Sequence, residues 1–188
     1  MNDNMNGDII NIDNLYKIKE LVLNKYIDGI DLYISDAGSF IGTNYSDQEE
    51  LNSLLNLSQI ICGLSVLKKG GTMLTKNYTL FAPLNISLVY LYNIFFEKVS
   101  IVKPKTSRPT NSELYILAEN YKGISSYELQ FLYSSFIILK NYDYNTLSQF
   151  SLINYNILDL SQLENICKYI FVDKFFNFPA YVIEELIT

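Results

Sequence analysis

At 188 residues and 21.7 kDa, with 49% hydrophobic content, the chain is long enough for one ordinary domain with a sizeable core. A net charge of −6 argues against holding nucleic acid by bulk electrostatics, and with no His and two cysteines, Cys62 and Cys167, a zinc or thiol–imidazole site has almost nothing to work with. No apolar run reaches the roughly 18 residues of a membrane span, and the polar, acidic start lacks the basic and apolar parts of a secretory signal, so an intracellular, cytoplasmic protein is expected.

Between Ile12 and Ile27 the residues Leu15, Ile18, Leu21, Val22 and Tyr26 recur at helical spacing, and Asp28-Gly29 stops the helix. A short strand then ends at Asp36. Gly38, Gly42 and Asn44 make Ala37 to Tyr45 a loop, after which Ser46-Asp-Gln-Glu49 has the form of a capping box. Leu51, Leu54, Leu55, Ser58, Ile61, Leu64 and Ser65 continue that helix, and Lys68-Lys69-Gly70 reads as its end, with cations at the negative pole and glycine beyond. Met73 to Lys76 reads as a strand, and Pro83 opens a helix through Phe96. Val99 to Val102 is a strand, Pro104 to Asn111 a loop, and Glu113 to Ala118 a strand running towards Lys122. This order predicts an α/β sheet with a terminal antiparallel pair. From Gly123 onward strand signals stop; Ser126 to Leu139, Thr146 to Leu158 and Ser161 to Phe176 read as helices rich in Tyr and Phe, packed back on the sheet. The two cysteines fall in apolar helical stretches and read as core thiols.

Asp36, Lys76 and Glu113 each stand where an apolar strand-like run meets a polar loop. Ligands of open α/β sheets collect at strand ends, so three titratable groups delivered there form a candidate site. Singly, each has an ordinary reading: Asp36 could cap the next segment, Lys76 could be a solvated strand end, and Glu113 could pair with a nearby lysine. Lys98, Lys103, Lys105 and Arg108 cluster near Glu113, and Lys68, Lys69 and Lys76 form a second basic group, although such runs are usually solvated surface. Tyr45, Tyr78 and Phe81 could stack on a base, but aromatics are abundant here and more often belong to a core.

Four strings carry a family resemblance: Asp31-Leu-Tyr-Ile-Ser-Asp36-Ala-Gly, Asn44-Tyr-Ser-Asp-Gln-Glu-Glu-Leu51, Leu67-Lys-Lys-Gly-Gly-Thr-Met-Leu-Thr-Lys76, and Lys103-Pro-Lys-Thr-Ser-Arg-Pro-Thr-Asn-Ser-Glu113-Leu-Tyr. Together they resemble the FtsJ-like ribose 2′-O-methyltransferases, particularly the branch that methylates mRNA caps. The resemblance runs from about Gly7 to Lys122. It implies that residues 1–122 form an incomplete Rossmann-like methyltransferase sheet and that residues 123–188 are a helical extension. It also implies S-adenosylmethionine as methyl donor and RNA, capped mRNA in particular, as substrate. Of the family's Lys-Asp-Lys-Glu tetrad, Asp36, Lys76 and Glu113 match the last three positions. The first lysine and the Gly-rich turn that cradles the cofactor belong to a segment upstream of Met1, so the chain resembles the C-terminal two-thirds of the catalytic fold. Gly7-Asp8-Ile9 resembles the family's adenine-contacting acid, which makes Asp8, with Asp36, a cofactor-binding candidate. Ser107, Arg108 and Asn111 lie in a loop stiffened by Pro104 and Pro109 and are the candidate RNA contacts.

The chemistry implied suits these residue types. A ribose hydroxyl is a poor nucleophile, so attack on a sulfonium methyl needs a base or a nearby cation, together with rigid alignment. A free lysine titrates near about 10.4 and needs a depressed pKa to act as a base. Glu113 and Asp36 oppose that depression, which makes Lys76 an electrostatic stabiliser unless a second cation intervenes. Three expectations follow: the chain alone binds S-adenosylmethionine weakly or not at all, a further segment or second chain completes the fold, and an unpaired apolar sheet edge is left for it. The alternative is a non-catalytic methyltransferase-like subunit that binds RNA or a protein partner.

Overall fold

The first helix, α1 (Ile12–Lys25), is started by Asn11, whose side chain accepts the Asp13 N–H at 3.0 Å. The computed structural model describes residues 7–38, 48–80, 83–105, 107 and 111–141, all within the first of two units, 1–150 and 151–188. After α1 the chain turns at Gly29, with φ +92°, into strand β1 (Ile30–Ser35). A Cβ at Gly29 would lie 2.6 Å from the Val66 carbonyl oxygen and 2.7 Å from the Lys68 nitrogen, so only glycine lets this turn close on the backbone beside it.

Helices α2 (Gln48–Leu51) and α3 (Ser53–Val66) lead into strand β2 (Leu67–Asn77). Helix α4 (Pro83–Phe95) then runs without a loop into β3 (Phe96–Val102), and β4 (Leu114–Tyr121) and α5 (Ser126–Lys140) follow. The sheet order is β1-β2-β4-β3; β1 and β2 are parallel, and β4 is antiparallel to both of its neighbours. This is the expected α/β sheet, with the antiparallel pair β4–β3 at one end.

Every residue of α3 is buried, because the sheet lies on one side of it and α1, α4 and α5 pack around it. Tyr33 and Met73 meet α3 at Gly63, where an added Cβ would lie 2.9 Å from the Tyr33 ring and 2.2 Å from the Met73 methyl. Cys62 is a core thiol as expected, its pKa pushed up by burial; Cys167 lies outside the described residues.

Two element readings need correction. The helix ends at Val66 and the strand begins at once, so Lys68, Lys69 and Gly70 are not a helix terminus. They form an irregularity in the β1–β2 pairing: Ile30 faces Leu67 and Leu32 already faces Thr72, with Gly70 at φ +80° taking up the extra backbone. Lys68 pairs with Asp31 at 2.5 Å across that irregularity. Helix α5, started by a capping box between Ser125 and Glu128, packs principally on α3 and so lies one layer out from the sheet. The helices expected at 146–158 and 161–176, the Ser46 cap and most of the loop after Asp36 lie outside the described residues. Among the described residues no helix is long and apolar enough to cross a membrane.

Candidate active site at the ends of β1, β2 and β4

Parallel pairing of Ser35 with Thr75 puts the next residues of β1 and β2, Asp36 and Lys76, side by side. Antiparallel pairing of Lys76 with Tyr115 brings the start of β4 to the same place, and Glu113 precedes Tyr115 by two residues, so it shares that face. Neighbouring Thr75 and Asn77 are buried on the opposite face, where the Thr75 and Tyr92 hydroxyls are 2.6 Å apart. The topology alone thus gathers the three predicted residues.

Lys76 Nζ lies 3.2 Å from Asp36 Oδ1 and 3.5 Å from Glu113 Oε2. Its side chain is 16% exposed, against 64% for Asp36 and 25% for Glu113, so the cation sits inside a rim of carboxylates that opens to solvent at Asp36. Burial lowers the Lys76 pKa, but the hydrogen bond it donates to Asp36 and the negative ends of Tyr78, Asp36 and Glu113 outweigh it and hold the ammonium above the ordinary lysine range. The Tyr78 ring centroid is 5.9 Å from Nζ, at the outer reach of a cation–π contact.

Tyr115 belongs to the same cluster and was not among the residues anticipated. Its hydroxyl lies within bonding distance of Asp36 Oδ1, at 3.1 Å, and Glu113 Oε1, at 3.3 Å. A phenol has one proton, so the two carboxylates share it. Burial first, then the two carboxylates, pushes the Tyr115 pKa up to about 12, with Lys76 partly opposing. The signal was available in the string Glu113-Leu-Tyr115, since residues two apart on a strand face the same way.

The loop between β3 and β4 is tied by Lys103, which the sequence offered only as one of several surface cations. Its Nζ donates to the Asn111 carbonyl at 2.8 Å, to Asn111 Oδ1 and to the Glu113 carbonyl at 2.6 Å. Ser107 Oγ donates to Asn111 Oδ1 at 3.2 Å, so two of the three predicted RNA contacts are brought together. Arg108 lies outside the described residues, as do Tyr45 and Phe81, while Tyr78 is buried. Ser112 Oγ donates to Gln48 Oε1 at 2.9 Å and fastens the approach to Glu113 onto α2.

Asp8 stands in the turn entering α1: its Oδ1 accepts the Ile10 N–H at 2.9 Å and its carbonyl accepts Asn14 Nδ2 at 2.8 Å. Among the described residues no group of three or more acidic, Cys or His side chains is placed to hold a metal ion. An exposed carboxylate at the end of β1 suits a cationic ligand such as a sulfonium, and a protonated amine beside it suits an oxygen that gains negative charge.

A family model described as FtsJ-like methyltransferase matches residues 2–121. The chain is 42% identical over 120 residues to "Probable methyltransferase EP424R" of African swine fever virus, covering 63% of this chain and 28% of that protein. It is 37% identical over 117 residues to the "Cap-specific mRNA (nucleoside-2'-O-)-methyltransferase 1" of Danio rerio, covering 62% of this chain and 14% of that protein. A crystal structure from Plasmodium falciparum, described as that of a ribosomal RNA methyltransferase, is 31% identical with a TM-score of 0.46, covering 65% of this chain and 60% of that one. The chain therefore spans well under a third of the length of these two curated relatives.

Proposed function

Because the chain belongs to the FtsJ-like methyltransferase family, we propose that it carries the catalytic carboxylates and lysine of an RNA ribose 2′-O-methyltransferase acting on capped mRNA. The observation that carries this reading is the placement of Lys76 Nζ between Asp36 and Glu113 at the open end of the sheet, in a setting that keeps it protonated. S-adenosylmethionine, when bound, supplies the methyl group on its sulfonium and retains the electron pair of the broken sulfur–carbon bond.

The residues of the chain do the rest. Lys76 presents a fixed positive charge to the ribose oxygen as it gains negative character, and acts as a cation rather than as a base. Asp36 faces the sulfonium side and aligns the lysine, and Glu113 fixes the ammonium from the other flank. The hydroxyl proton leaves to water at the Asp36 rim, where the site is open. Asp8 is the proposed adenine-side contact. Ser107, Arg108 and Asn111 are the proposed phosphate contacts; Arg108 is the residue able to grip a phosphate with two donors at once.

The outer edge of β1 has no strand beside it among the described residues, and Leu32 and Ile34 on it are 52% and 58% exposed. We place the segment or second chain that completes the cofactor-binding half along this edge. The proposal is tested with the chain joined to, or co-expressed with, a family member's cofactor-binding half, using S-adenosylmethionine labelled in its methyl group and capped RNA. Label recovered as 2′-O-methylribose supports the assignment; label on a base or on protein overturns it.

A further inference from the structure

Helix α3 is buried on every side yet carries several polar side chains. Ser58 and Ser65 bond to carbonyls of their own helix, at 2.8 and 2.7 Å. Asn56 and Gln59 do not, and a buried amide needs partners elsewhere. Gln59, 0% exposed, donates from Nε2 to the Lys76 carbonyl at 3.3 Å and to Asn56 Oδ1 at 3.2 Å. Because both of those partners only accept, the amide cannot be turned over; its Oε1 is left without a partner among the described residues.

From both ends the donors converge on the Glu49 carboxylate. Asn56 Nδ2 donates to Asn85 Oδ1 at 3.1 Å, and Asn85 Nδ2 donates to Glu49 Oε1 at 3.3 Å and to Ser53 Oγ at 3.0 Å. Thr79 Oγ1 donates to Glu49 Oε2 at 2.7 Å. The relay thus starts at the carbonyl of residue 76 and returns to the side chain of residue 79, bracketing the exit of β2 against α2, α3 and α4. A buried, bonded polar network fixes one arrangement of the elements it joins, since each member displaced leaves another unsatisfied.

We propose that Gln59 is a positioning residue for Lys76, and that the relay through Asn56, Asn85, Glu49 and Thr79 fixes the backbone from which the lysine reaches Asp36 and Glu113. The inference rests on the proposed role of Lys76, but it can be read without any methyl transfer. The lysines of the purified chain are converted to ¹³C-dimethyl amines, which keep their charge, and Lys76 is titrated by NMR with Lys76→Arg to assign its signal. Three variants are compared with the unsubstituted chain. Gln59→Met keeps the volume and removes the donor, and Thr79→Val removes the far end of the relay. Tyr121→Phe is the control, because it removes a buried bond to the Leu64 carbonyl of the same helix with no link to Lys76.

The expected result is that Gln59→Met and Thr79→Val lower the Lys76 midpoint by about half a pH unit or more, while Tyr121→Phe leaves it in place. An unchanged midpoint in both relay variants, or an equal shift in all three, overturns the proposal. If Gln59→Met does not fold, Thr79→Val against Tyr121→Phe decides in the same way. A shift in the relay variants, together with no methyl transfer by the chain joined to a cofactor-binding half, leaves the positioning inference standing and removes the functional one.

Discussion

Lys76 keeps its proton because two carboxylates and a tyrosine outweigh the cost of its partial burial. Its pKa in the folded chain is raised, so this contribution to stability is fully present below the unfolded-state value, about 10.4, and is lost as pH rises through the higher folded value. The urea midpoints of the wild type and of Lys76→Met should therefore differ at neutral pH and converge above the lysine range; a gap that widens with pH would contradict the assignment. The same charge state predicts a methyl-transfer rate with no lysine-like rise through neutral pH, as measured in a pH–rate profile. Tyr115→Phe removes the proton shared by Asp36 and Glu113 and should cost about 1 kcal/mol in urea denaturation. The meeting of Asp36, Lys76 and Glu113 was legible in the sequence because each stands where an apolar run joins a polar loop. Lys103 was not, since a cation that ties a loop by donating to carbonyls looks in sequence like any solvated lysine.

Strand and helix order was legible because the period of apolar residues changes cleanly between elements, as at Pro83 and at Ser125. The junction of α3 and β2 was misread for a physical reason. Lys-Lys-Gly-Gly has the chemistry of a helix terminus, and only pairing with β1 shows that these residues are the irregular start of a strand. Gly29 and Gly70 separate two costs that sequence cannot distinguish. Both have positive φ, but a Cβ at Gly70 meets nothing within 4 Å, whereas at Gly29 it would press on backbone atoms from 2.6 Å. Gly70→Ala should cost about 1 kcal/mol of conformational strain, and Gly29→Ala about 3 kcal/mol or more, because backbone must also move. Urea midpoints of the two variants check this order, and equal losses would show that the close approach at Gly29 is relieved cheaply.

At the scale of the molecule, β1 is one of the two edge strands that expose apolar residues among the described residues, the other being β3 with Ile101. Tyr33 points to α3, so Leu32 and Ile34 point to the opposite face, and both are more than half exposed on a strand whose outer edge is unpaired among the described residues. Such an edge recruits another strand. The isolated chain should self-associate with rising concentration in sedimentation velocity, and the double substitution Leu32→Lys with Ile34→Lys should reduce that association; a concentration-independent wild-type monomer would count against the edge as an interface. The expectation of an unpaired apolar edge came from the family resemblance, because alternating apolar residues do not say which strand lacks a neighbour. The central claim is that Lys76 works as a cation on the ribose oxygen, and the rate of methyl transfer to capped RNA by the completed assembly, with Lys76 against Lys76→Ala, tests it most directly. Loss of one such donor removes roughly 3 kcal/mol of transition-state stabilisation, so the account predicts a fall in kcat of about a hundredfold or more with S-adenosylmethionine affinity nearly unchanged. An undiminished kcat in Lys76→Ala would contradict it.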